Sequence, residues 1–80
     1  MCCLFGLIDY NNTFNAKEKN RLIKILSTEC EARGTDATGI AFNTESGLHI
    51  SKRPVPAHKM WYRIPESARV VMGHTRMTTQ

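Results

Sequence analysis

The stretch MCCLFGLID, residues 1–9, decides how the rest of the chain is read. Residues 3–8 form a short apolar run that suits a buried strand, and Asp9-Tyr10-Asn11-Asn12 supplies the polar turn that ends it. A strand this close to the terminus needs later strands to pair with. Beyond it, Asn15 offers a side-chain oxygen to the first free helix amides, and Glu18 stands three residues on in the capping-box position. Leu22, Ile23, Ile25, Leu26 and Cys30 then recur at helical spacing, which makes Cys30 a core residue rather than a ligand. Lys17, Lys19, Arg21 and Lys24 are expected on the solvated face of that helix, and Gly34 is expected to stop it.

Further strands are predicted over 40–43, 48–53 and 69–74. Thr44-Glu45-Ser46-Gly47 turns the first into the second, and Pro54 and Pro56 end the hairpin. In the alternation of 48–53, His49 falls on the polar side as a solvated residue. Trp61, in a short amphipathic turn, is expected to cover the core. The order strand, helix, hairpin, strand implies a layered α+β domain, and a lone sheet of this size leaves a face or an edge uncovered.

Composition narrows the class. A hydrophobic fraction of 41% with 22% charged residues describes a globular chain rather than a disordered tail. Eighty residues is at most one ordinary domain, burying about 60–65% of its unfolded surface. No apolar run approaches the ~18 residues of a membrane span, and no secretory signal pattern opens the chain, so the expected compartment is the cytoplasm. The net charge of +4 is spread rather than clustered, so nucleic acid is not an expected partner. Three cysteines make an odd count, which argues against a disulfide framework. With His49, His58 and His74 scattered, no metal site is expected. The halt at Gln80, directly after an apolar strand, is expected to be an interior point of a longer chain.

Three segments carry chemistry. If Met1 is removed, Cys2 gains a free α-amine beside its own thiol, and an α-amine titrates at about 7.7–8.0, suited to accept a proton at neutral pH. A nucleophile supplied with its own base needs no histidine. A small residue in a frayed terminus is the other reading of Cys2. RGTDATG (33–39) is a turn in which an Arg33–Asp36 pair would bring order, or it is a plain helix stop. GHTRMTT (73–79) ends a strand in an arginine flanked by hydroxyls, suited to grip a carboxylate, or it is an ordinary surface strand end.

In this order, MCCLFG, RGTDATG and GHTRMTT resemble the class II glutamine amidotransferase domain of the N-terminal-nucleophile hydrolases, and the resemblance spans essentially all 80 residues. It implies the N-terminal portion of one such domain, whose fold is a four-layer α/β/β/α sandwich of mainly antiparallel sheets. It implies hydrolysis of the side-chain amide of L-glutamine, with ammonia passed to an acceptor synthase domain or subunit, and no cofactor. It gives Cys2 as the nucleophile, and Arg76 and Thr79 as the residues that hold the glutamine α-carboxylate and line its pocket. Arg33, Asp36 and His74 become site-shaping residues. Cys3 departs from the family, which prefers glycine there, and the family's oxyanion-hole residues lie beyond Gln80. Two alternatives stay open: another amide hydrolase with the same terminal-cysteine chemistry, and a non-catalytic binding module that keeps the fold.

Overall fold

A computed structural model describes residues 2–77. Four strands and one helix build it: β1 (Cys2–Ile8), α1 (Ala16–Cys30), β2 (Ala37–Thr44), β3 (Gly47–Arg53) and β4 (Val70–Arg76). The strands form one antiparallel sheet in the order β1-β4-β2-β3. The protein is therefore α+β, with helix and sheet as two layers.

Local signals set the local elements. Asn15 caps α1 through its side chain, which accepts from the Glu18 amide at 2.8 Å, while Glu18 accepts from the Asn15 amide at 3.0 Å. Both arms of the capping box are present, satisfying amides that would otherwise be orphaned. Glu45 and Ser46 connect β2 to β3, and Gly47, at φ 130°, takes a conformation that a side chain disfavours. Asp9 closes the β1 turn by accepting from the amides of Thr13 and Phe14 at 2.7 and 2.8 Å.

The core lies between α1 and one face of the sheet. Phe5, Ile40, Phe42 and Val71 come from the strands, Ile23 and Cys30 from the helix, and Met60, Ile64 and Ala68 from the segment between β3 and β4. That segment has little regular structure beyond a 3-10 turn at Ala57–Lys59, so helix side chains hold it down. The Lys24 ammonium donates to the carbonyls of Ala57, His58 and Met60 at 3.4, 2.9 and 3.3 Å. The Asn20 side chain bonds both backbone groups of Ile64, at 2.9 and 2.8 Å. These bonds satisfy peptide groups that a buried loop leaves open.

Several expectations need correction. Lys19 is not solvated: it is 0% exposed, and its ammonium donates to Ala68 O at 2.7 Å and to Asn12 Oδ1 and Glu66 O, with Asp9 3.6 Å away. The buried stripe of α1 is Lys19, Ile23, Ser27 and Cys30, whereas Ile25 faces out. The helix ends at Cys30, followed by a 3-10 turn at Glu31–Arg33, so Gly34 is not its direct stop. Trp61 does not cover the core; its neighbours Met60 and Ile64 do, and its indole is 81% exposed. The odd cysteine count misleads as well. Cys3 and Cys30 are joined as a disulfide with Cα atoms 5.5 Å apart, and Cys2 alone stays free and exposed.

The second face of the sheet is open. Residues paired across an antiparallel ladder project to the same side, so the register places Leu4, Ile8, Met72, Leu48 and Ile50 together there. All five are exposed, Leu4 by 78%. The alternation of 48–53 is therefore real, but its apolar residues line this open face. His49 stays exposed on the opposite side, its ring centroid 4.9 Å from that of Phe42. Among the described residues no helix is long and apolar enough to cross a membrane.

Candidate functional site

One end of the open face gathers the chemistry. Cys2 is paired with Arg76 across the β1–β4 ladder, and Arg76 is paired with Ala37 across β4–β2. Directly opposed side chains share a face with Cβ atoms about 5 Å apart, so thiol and guanidinium emerge side by side. Both residues are exposed. His74 stands two residues back on the same strand and face, paired with Leu4 on one side and Gly39 on the other. Its ring lies over Gly39, where a Cβ would come within 2.7 Å of Cε1. Glycine at 39 is therefore what lets the imidazole lie flat across the sheet.

The 33–36 turn packs against the same strand end. A Cβ at Gly34 would stand 2.8 Å from the Thr75 carbonyl oxygen, and nearer still to the Arg76 amide. Gly34 has φ −165°, an extended conformation open to any residue, so close backbone approach is what demands glycine here. The Asp36 amide donates to the Arg76 carbonyl at 2.9 Å, clamping the turn to the residue that would face a ligand. Arg33 and Asp36 are exposed. Among the described residues the ion pairs are Lys19–Asp9 and His58–Glu31, so the expected Arg33–Asp36 pair is not one of them.

Thr75 also departs from expectation. Its side chain points away from Arg76, is 0% exposed, and donates to the Cys30 carbonyl at 2.8 Å. This threonine anchors the helix C-terminus to β4 instead of gripping a ligand. Thr79, expected to line the carboxylate pocket, lies outside the described residues, as does Met1. A shallow cavity of about 230 Å³ opens beside Arg76, lined also by His74, Ala37, Lys52 and Arg53. Lys52 and Arg53 had no place in the sequence reading. Their only signal there was charge at the end of a strand whose partner was not yet known.

Cys3 now has a physical role. Alternation turns it to the helix side, where Cys30 closes the disulfide, so the two adjacent cysteines point to opposite faces. Only Cys2 offers a free thiol to the open face. Among the described residues no group of three or more His, Cys, Asp or Glu could hold a metal ion. Against known proteins, no protein-family model matches the chain, and no curated protein or solved structure matches it.

Proposed function

We propose that the chain is the N-terminal portion of a class II glutamine amidotransferase domain that hydrolyses the side-chain amide of L-glutamine. One observation carries the reading. Cys2, His74 and Arg76 share one end of a single sheet face, and the 33–36 turn is bonded to the backbone of that same strand end.

Each residue then has a task. Once Met1 is removed, the Cys2 thiol passes its proton to its own α-amine, and the thiolate attacks the glutamine Cδ. The amine returns the proton to the departing nitrogen, ammonia leaves, and a γ-glutamyl thioester remains on Cys2. Water adds to the thioester, the C–S bond breaks, and glutamate and the thiol are released. Arg76 pairs with the substrate α-carboxylate through its planar fork, and Thr79 completes that pocket. His74, Arg33 and Asp36 position the site without touching the reacting atoms. The oxyanion donors come from beyond Gln80, where loss of one typically costs about 2.7–4 kcal/mol of transition-state stabilisation. The exposed apolar face of Leu4, Ile8, Met72, Leu48 and Ile50 is where the second sheet of the four-layer sandwich would pack.

The test is covalent labelling of the full-length protein with a thiol-reactive glutamine analogue. Label is expected on Cys2 of a chain that has lost Met1, and Cys2→Ala should abolish it. Labelling that survives that change, or a native chain that retains Met1, would overturn the proposal. Arg76 separates glutamine from other amides: a carboxylate-blocked amide should be hydrolysed far more slowly than glutamine.

A further inference from the structure

A second cavity lies away from the Cys2–Arg76 end and shares no lining residue with the cavity beside Arg76. It is a groove of about 490 Å³ between α1 and residues 58–62, within the range of sites that hold small organic ligands. Its charge is of one sign: Arg21, Lys24 and Lys59 line it, and no carboxylate does. Lys24 is committed to three backbone carbonyls, with its ammonium 5.8 Å from the Tyr62 ring centroid. Arg21 and Lys59 are exposed, and among the described residues their side chains make no hydrogen bond or ion pair. Glu31, which is not among the groove's lining residues, accepts at Oε1 from the amide of His58 at 2.7 Å and lies 2.8 Å from its Nδ1.

Trp61 adds a planar apolar wall. Its indole is exposed while the flanking Met60 and Ile64 are buried, so its backbone is anchored and its ring projects. The groove is also held in shape, because Lys24 and Asn20 bond the backbone at 57–60 and 64. A bare phosphate would leave the indole unused, and an uncharged ring would leave two cations unpaired. A ligand carrying a flat ring and a phosphate uses both. A polymer of nucleotides would call for cations tracking a strand, rather than two at one groove.

We propose that the groove between α1 and residues 58–62 binds a nucleoside monophosphate, with its base against Trp61 and its phosphate between Arg21 and Lys59. The proposal is independent of the chemistry assigned to Cys2 and would survive its failure. Calorimetric titration of the full-length protein with AMP, adenosine and inorganic phosphate tests it. Saturable one-to-one binding of AMP is expected, with adenosine and phosphate each at least tenfold weaker. Arg21→Ala/Lys59→Ala and Trp61→Ala should each weaken AMP at least tenfold, and because these side chains are exposed the circular dichroism spectrum should not change. Absence of AMP binding, adenosine binding as tightly as AMP, or variants that bind AMP like the wild type would overturn it. A single-stranded oligonucleotide binding tenfold tighter than AMP would overturn it too, in favour of a polymer ligand.

Discussion

Replacing Lys19 by methionine removes one ammonium and leaves a stem of similar length in the same packed channel. The ammonium binds three acceptors, Asn12 Oδ1 and the carbonyls of Glu66 and Ala68, and faces the Asp9 carboxylate at 3.6 Å. With Lys19 at 0% exposure, water cannot replace what is lost. Hydrogen bonds from charged donors contribute about 1.5–3 kcal/mol each, though not additively. Removing one partner of a buried pair costs about 3–5 kcal/mol, because the other is left uncompensated. We take about 3–5 kcal/mol as the expected loss. Total stability at 0.05–0.15 kcal/mol per residue is about 4–12 kcal/mol for 80 residues, so the change removes a large share of it. At roughly 4–8 °C per kcal/mol the melting temperature should fall by at least about 12 °C. Urea denaturation of Lys19→Met, with Lys17→Met as the exposed control, measures it, and the control should lie within about 0.5 kcal/mol of wild type. A Lys19→Met protein within 1 kcal/mol of wild type at unchanged m-value would refute the argument. It would mean that the three acceptors find water once the ammonium is gone.

The Cys3–Cys30 bond spans 27 residues, and the loop-entropy relation assigns it about 3.5 kcal/mol; Cys30→Ser should lower the urea midpoint accordingly, and a reductant should do the same to wild type but not to the variant. Such a bond persists in oxidising compartments and opens where thiols are kept reduced, so mass spectrometry of alkylated protein from its native cell reports its state. Gly34→Ala puts a methyl against the Thr75–Arg76 backbone and should destabilise by about 1–3 kcal/mol, with amide shifts on NMR concentrated at 75 and 76. Stability should also fall in acid. Burial pushes the Asp9 pKa up, but the Phe14 and Thr13 amides and the Lys19 ammonium outweigh it and hold the carboxyl below its ordinary 3.8. The His58 amide and ring hold Glu31 below its ordinary 4.5. Both groups bind protons more readily unfolded than folded. Their contribution is therefore complete above about pH 5 and is lost as pH falls below those ordinary values through the folded ones. A melting temperature that stays level from pH 5 to pH 2.5 would contradict this.

Much of the local structure was legible in the chain. Asn15 and Glu18 announce the start of α1, Thr44 to Gly47 announce the hairpin, and period-two patterning marks 48–53 as its returning strand, because each signal acts over a few residues. The adjacency of Cys2 and Arg76 has no local cause. It arises because β4 inserts between β1 and β2, a pairing across 74 residues set by which register buries Phe5, Ile40 and Val71 against α1. The motif order suggested such a meeting only through family resemblance.

Elsewhere the sequence alone pointed the wrong way, since burial is decided by what packs above a residue. Lys19 looks like its neighbours Lys17 and Arg21 until the 66–68 carbonyls arrive over it to accept its protons. Trp61 looks like a core residue until Met60 and Ile64 fill that space first. Cys2 and Cys3 are indistinguishable as letters. Sequence alone predicted a strand from Cys3 with Cys2 directly before it; the strand takes in Cys2 as well, so alternation makes the two thiols face opposite ways. Only the tertiary structure decided which way each faces, by bringing Cys30 under one and Arg76 beside the other.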